Sequence, residues 1–289
     1  MKTDLNNVIE FGDCRNIMRQ WAADGVKAQM CVTSPPYFGL RDYGHEGQLG
    51  LEHTPEEYIA AIAEVFRCVR DVLADDGTLW LNIGDSYGKG KQLLMIPARV
   101  ALALQADGWV LRQDIIWHKP NPMPESVRDR CTKAHEYIFL LTKSERYFYD
   151  HKAVREPEVC GRVRGPALHP DAVSTNGNGG LARRKSDGFR NRRSVWTVPT
   201  HSYKGAHFAT FPPSLIMPCI LAGSRPGDIV LDPFMGSGTT AAVSVSLARQ
   251  YLGCELNPDY GPLQQERIAS ATPSNDNEQK QLDLFVGEL

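Results

Sequence analysis

Two short runs hold residue types suited to chemistry. The first is Ser34-Pro35-Pro36-Tyr37, which follows the apolar run Met30-Cys31-Val32 and Thr33. A planar amine conjugated to a ring is a poor nucleophile, because its lone pair is delocalised. Acceptors placed around its two hydrogens localise that lone pair and aim it. Ser34 Oγ can supply one acceptor and the Pro35 carbonyl another, while Pro35-Pro36 keeps the turn stiff. Tyr37 can stack on the ring and exclude water. The second run is Asp232-Pro233-Phe234-Met235-Gly236-Ser237-Gly238-Thr239-Thr240, after Ile229-Val230-Leu231. Glycines between a strand and a helix let backbone approach a ligand closely, and the helix start presents free N–H groups. Glu255 stands 23 residues after Asp232, at the end of the next apolar run, where an acid can accept both hydroxyls of a ribose. No Gly-Lys-Ser/Thr follows the glycines, so a phosphate loop is excluded.

Together these runs resemble the S-adenosylmethionine-dependent DNA amino-methyltransferases, and catalytic-before-cofactor is the permuted order of that family's beta class. His207 to Pro212, the glycine loop, and Gly253-Cys254-Glu255-Leu256-Asn257 resemble three consecutive cofactor motifs of the class. The resemblance implies that Phe208, Thr210 and Phe211 line the cofactor. Asp232, Phe234, Gly236, Gly238 and Thr239 would surround its amino-acid part. Glu255 would hold the ribose, with Asn257 beside it, and Asp13 would approach the adenine edge. Ile116 to Pro122 and His135 to Phe139 resemble two later motifs that wall the base pocket. The implied reaction is in-line displacement of a sulfonium methyl onto a base extruded from the duplex, with the protein supplying mainly position and no metal.

Serine at the first tetrad position is commoner in the cytosine-N4 group; Asp or Asn is the usual adenine choice. The longer run Thr33 to Gly44, however, resembles stand-alone prophage-type methylases, a group that includes adenine methylases. The expectation is therefore adenine N6, with cytosine N4 as the alternative. RNA or protein-amide methylation is a further enzymatic reading. A DNA-binding module on an inactive scaffold is opposed by the intact Ser34, Tyr37, Phe234, Gly236 and Glu255.

The elements that would position these residues follow from periodicity. Short strands are predicted at 7–13, 29–33, 78–83, 109–117, 135–142, 229–231 and 251–255, with a turn at Asp76-Gly77. Helices are predicted at 14–21, from Pro55, at 95–105, 213–222 and 239–249. Thr54-Pro55-Glu56-Glu57 is a strong helix start. Strands alternating with helices imply an α/β, doubly wound, mostly parallel sheet, which by resemblance is of the class I methyltransferase type. Pro218-Cys219 sits in an apolar run and reads as core, not as a nucleophile. From Asp150 to Thr200 glycine, proline, asparagine and arginine dominate, and the stretch reads as loop outside the core.

Charge is unevenly spread. The chain of 289 residues has net charge -2, yet residues 151–204 hold 11 Lys+Arg against 4 Asp+Glu. Such asymmetry suits contact with a polyanion. By resemblance this is the family's target-recognition region, and Arg183, Arg184, Lys185, Arg190, Arg192 and Arg193 are the candidate contacts to double-stranded DNA. The implied organisation is a catalytic half (1–150), a recognition insertion (151–204), a cofactor half (205–271) and a flexible tail (272–289). Within the tail, Gln281-Leu282-Asp283-Leu284-Phe285 resembles the peptide that docks bacterial proteins onto the replication sliding clamp. Seven scattered cysteines suggest reduced thiols, not a disulfide or zinc framework. No apolar run is long enough to span a bilayer and no signal segment is read. A cytoplasmic, nucleoid-associated protein of a bacterium or phage is expected, acting in restriction-modification or alone, and by resemblance a homodimer.

Overall fold

Strand and helix alternate from Val8 to His118 and again from Pro213 onward, as the apolar runs predict. A computed structural model of the protein describes residues 5–158, 187–200 and 211–271. In chain order the elements are β1 (Val8–Phe11), α1 (Cys14–Ala23), β2 (Ala28–Thr33), α2 (Pro55–Val72), β3 (Leu73–Ile83), α3 (Ile96–Ala106), β4 (Val110–His118) and β5 (His135–Thr142). The short pair β6 (Glu156–Pro157) and β7 (Phe189–Arg190) comes next, followed by β8 (Val195–Thr197) and α4 (Pro213–Gly223). The chain continues through β9 (Ile229–Asp232), α5 (Thr239–Ser246), β10 (Gln250–Glu255) and α6 (Gly261–Ala269).

Eight strands form one sheet in the order β1-β10-β9-β2-β3-β5-β4-β8. The first five are mutually parallel, and β5 runs antiparallel to both β3 and β4. Side chains alternate across this sheet. Leu79, Leu81 and Ile83 of β3 join a core with α1, α2 and α3 on one face. Trp80 of the same strand joins a second core with α4 on the other. Both faces are thus covered, as the near-continuous apolar runs of β2 and β9 require.

Helix α2 begins as the sequence predicts. Thr54 Oγ1 accepts from the Glu57 backbone N–H at 3.2 Å, and Glu57 Oε2 accepts in return from the His53 N–H at 3.0 Å. Helix α5 is shorter than predicted, because Ala248 at φ 59° turns the chain into β10. Strand β3 also runs through the predicted turn at Asp76-Gly77, since Leu73 already faces Ala28 of β2.

The larger correction concerns the stretch read as loop. Val195–Thr197 pairs in parallel with Ile116–His118 as the eighth strand of the main sheet. Trp196 is buried, and Val154 and Val198 lie in the second core with it. Two indole N–H groups fasten this edge: Trp117 Nε1 donates to the Val198 carbonyl and Trp196 Nε1 to that of Arg193, each at 2.7 Å. The strand is three residues long and follows closely on arginines, too little for periodicity to register.

Candidate active site

Parallel strands bring their carboxyl ends to one edge of the sheet, where ligands of open α/β folds bind. The ends of β1, β2, β9 and β10 carry Asp13, Ser34, Asp232 and Glu255 to that edge. Because β5 runs the other way, its first residues, His135 and Glu136, arrive there too.

Ser34, Tyr37 and Glu136 form a chain of hydroxyls ending on a carboxylate. Tyr37 Oη donates to Glu136 Oε2 at 2.7 Å and accepts from Ser34 Oγ at 3.3 Å. Asn82 Nδ2 donates to the same Glu136 oxygen at 3.2 Å and to the Tyr137 carbonyl at 3.1 Å. The other Glu136 oxygen is ion-paired with Lys119, whose ammonium lies 4.4 Å from the centroid of the Trp117 ring. The phenol is held well above its ordinary pKa, first by burial and then by the neighbouring Glu136 charge. Tyr37 therefore stays protonated and directs its O–H at Glu136 as a hydrogen bond, which turns the Ser34 O–H toward Tyr37. The lone pairs of Ser34 are left to accept from elsewhere.

Glycine and proline shape this turn. A Cβ on Gly84 would stand 2.5 Å from Tyr37 Cε2, so only glycine leaves room for the ring there. The Pro36 carbonyl accepts from Tyr58 Oη at 2.8 Å, tying the tetrad to α2.

The glycine loop is bound to the tetrad through one buried carboxylate. Asp232, 1% exposed, accepts from Thr33 Oγ1 at 2.6 Å, from Thr240 Oγ1 at 2.5 Å and from the Phe234 N–H at 3.0 Å. Burial pushes its pKa up to about 6 against these three bonds. Thr33 immediately precedes Ser34, so Asp232 couples the two runs directly. Gly236 and Gly238 take φ of 52° and 82°, the left-handed region that glycine enters freely. The Gly236 N–H donates to Glu255 Oε2 at 2.7 Å, and the Asn257 N–H to Glu255 Oε1 at 2.9 Å. Burial raises the pKa of Glu255. Its oxygens keep lone pairs beyond these two bonds, enough for ribose hydroxyls. An open glycine turn, a carboxylate and the half-buried Phe234 ring at the strand ends suit a nucleoside with a charged amino-acid arm.

Helix α6 braces that turn from outside. Gln264 Nε2 donates to the Gly236 carbonyl at 2.7 Å, and Arg267 donates to Ser237 Oγ at 2.7 Å and to Thr239 Oγ1. Thr239 is 4% exposed under this guanidinium. Arg267→Ala should loosen the loop and raise the cofactor Kd about tenfold, worth one charge-assisted hydrogen bond; titration calorimetry would measure it.

Other predicted residues fall in different settings. Asp13 caps α1 and is paired with Arg15, which holds its carboxyl below the usual range. It remains beside the cofactor edge, since the Gly12 N–H donates to the Glu255 carbonyl at 2.8 Å. Phe211 is half-buried against the second core. Cys219 is wholly buried and its thiol pKa is pushed far up. Arg190 and Arg193 both donate to Glu156 Oε1, at 2.8 and 2.6 Å. The guanidinium of Arg192 lies 4.6 Å from the Trp196 ring centroid, and burial lowers its pKa; this arginine packs inward. Phe208, Thr210, Arg183, Arg184, Lys185 and Gln281–Phe285 lie outside the described residues.

Asn82, Gln264 and Arg267 had no role assigned from sequence, and Lys119 and Glu136 stood only within the two motifs read as walling the base pocket. Glu136 stood within a recognised motif, and its isolation among the apolar residues of β5 was the available signal.

Comparison with known proteins agrees with this geometry. A sequence model of the N6/N4 DNA methylase family matches residues 28–266. The type II methyltransferase M.Cfr9I of Citrobacter freundii is 44% identical over 294 residues, spanning 92% of this chain and 89% of that protein. Among solved structures, the PvuII DNA methyltransferase, described as cytosine-N4-specific, aligns with a TM-score of 0.68 at 21% identity. That alignment covers 97% of this chain and 91% of the other. A putative DNA modification methylase of Thermus thermophilus, solved with S-adenosylmethionine, aligns with a TM-score of 0.61 at 25% identity, covering 92% and 94%.

Proposed function

This chain belongs to the N6/N4 DNA methylase family, and on that premise we propose that it methylates the N4 amine of cytosine in duplex DNA. The cofactor of the family is S-adenosylmethionine, which supplies an electrophilic methyl on sulfur when bound. Glu255, Phe234 and the backbone of Gly236 and Gly238 would hold it at the strand ends. Ser34 Oγ and the Pro35 carbonyl would accept the two hydrogens of the amine. Tyr37 would face the extruded base, its hydroxyl fixed by Glu136.

The observation that carries the reading is the direction of the Ser34–Tyr37–Glu136 chain, which leaves a neutral serine oxygen as the acceptor. Serine in that place, and the cytosine-N4 specificity stated for the PvuII enzyme that shares the fold, favour cytosine over the adenine expected from the longer run Thr33 to Gly44. Labelled S-adenosylmethionine, mixed-sequence duplex DNA and mass spectrometry of the digested nucleosides test it. N4-methyldeoxycytidine is the expected product; N6-methyldeoxyadenosine would overturn the choice of base, and no labelled nucleoside would overturn the DNA reading.

The remaining features of this proposal concern partners. A type II restriction-modification role follows the description of M.Cfr9I. A homodimer, checked by sedimentation, and clamp docking through Gln281–Phe285 rest on family and motif resemblance; unchanged clamp pull-down after deletion of residues 279–289 would dispose of the latter. Of the described candidates Arg190, Arg192 and Arg193, the last is the most exposed, at 68%, although its Nε pairs with Glu156; phosphate contact by Arg193 is part of this proposal. Arg193→Ala should lower the slope of log K against log salt by about 1, as filter binding at several salt concentrations would show.

A further inference from the structure

The loop joining β4 to β5 (residues 119–134) begins and ends in the catalytic network. Lys119 at its start pairs with Glu136, which lies just past its end. The Lys119 N–H donates to the Ala134 carbonyl at 2.8 Å, closing the neck. Asn121 is locked to Thr200 by three hydrogen bonds of 2.9 to 3.2 Å. Glu125 takes both terminal nitrogens of Arg130, at 2.6 and 3.2 Å, and also accepts from the Lys133 N–H. Arg130 in turn lies 4.2 Å from the Tyr87 ring centroid. Between these anchors Pro122 and Pro124 restrict the backbone on either side of Met123.

Met123 is 83% exposed, the most exposed large apolar side chain among the described residues. Stiff backbone on both sides and a side chain left in solvent is a poor arrangement for a packing residue. It lies four positions along the chain from Lys119, so the tip stands within about 15 Å of the catalytic network. The loop holds four Lys/Arg against two carboxylates; Lys119, Arg130 and Lys133 are ion-paired with Glu136, Glu125 and Asp85. Arg128 is exposed and has no ion pair among the described residues. An apolar tip on a cationic, braced loop beside a base pocket matches the apolar wedges that architectural proteins drive between base steps.

We propose that Met123 is such a wedge. It enters the base stack as the target base leaves and fills the vacated space, with Arg128 against a flanking phosphate. The thioether suits this, being flexible, polarisable and able to lie against aromatic faces. The inference rests on the base-extruding DNA methylation proposed above.

A wedge matters only where extrusion is costly, so the test compares two duplexes carrying the mapped target site. One is fully paired; in the other the target base stands opposite an abasic position, where extrusion costs less. Met123→Ala should lower kcat/KM about tenfold on the paired duplex and fall close to the wild type on the abasic one. Met123→Leu should stay near wild type on both, and cofactor affinity should be unchanged in each variant. Equal loss on both duplexes, or no loss on either, would overturn the wedge. A wild type that methylates neither duplex would instead overturn the DNA reading, and the wedge with it.

Discussion

Ser34→Ala should lose methyl transfer by about 10²–10³-fold while binding S-adenosylmethionine as the wild type does. Alanine removes the outward-facing acceptor and leaves the turn otherwise intact, because Pro35, Pro36 and the Tyr58–Pro36 bond hold the backbone. Among the described residues the Ser34 hydroxyl bonds to Tyr37, whereas the cofactor loop reaches this strand through a hydrogen bond from Thr33. A split between lost turnover and retained binding is therefore the signature of the site. Tyr37→Phe and Glu136→Gln extend the argument. Phenylalanine keeps the ring but frees the Ser34 hydroxyl to rotate. Glutamine keeps the shape but removes the charge that Tyr37, Asn82 and Lys119 converge on. Both should lower turnover by about tenfold or more, an amount typical of losing a charge-assisted hydrogen bond. Single-turnover assays with calorimetry for the cofactor would measure all three. Full turnover in Ser34→Ala would remove the tetrad from the mechanism.

The parts of this site legible in the sequence were those with local signals. Ser34 to Tyr37 and Asp232 to Thr240 announce themselves because proline and glycine fix backbone and the flanking apolar runs fix the strands. The doubly wound sheet and most of its strands follow from the same alternation. Glu136, Asn82 and Lys119 were not legible as a group. They meet only because β5 reverses direction and lies between β3 and β4, a long-range register that no local window contains. Arg192 shows the opposite limit. Among clustered arginines in a glycine-rich stretch it reads as a phosphate contact, yet Trp196 draws it inward. Strand β8 was hidden for the same reason: composition averaged over residues 150–200 concealed a buried tryptophan three residues beyond the last arginine of the cluster.

Asp232→Ala should cost the fold about 3–5 kcal/mol, as loss of one member of a buried polar network does. Its carboxylate satisfies three donors at once, two hydroxyls and an N–H, and alanine would strand them out of reach of water. The same change releases the Phe234 N–H, and with it the entry to the glycine loop, so cofactor affinity should fall together with stability. Asparagine separates packing from charge. Its oxygen can still accept from Thr33 and Phe234, and the Thr240 hydroxyl can reverse to accept from the new amide. Asp232→Asn should therefore be far more stable than the alanine variant at neutral pH. The sign of the pH dependence discriminates further. The folded pKa of about 6 lies above the ordinary 3.8, so the folded state binds this proton more tightly than the unfolded chain. The contribution of Asp232 to stability is then most favourable below about pH 4 and declines by about 3 kcal/mol as pH rises to about 6. Asp232→Asn should abolish that decline, so its stability relative to wild type should rise between about pH 4 and 6. Urea unfolding at pH values across this window would show the convergence or its absence. An alanine variant as stable as asparagine would mean that the three donors find other partners, and that the link between the two halves of the site lies elsewhere.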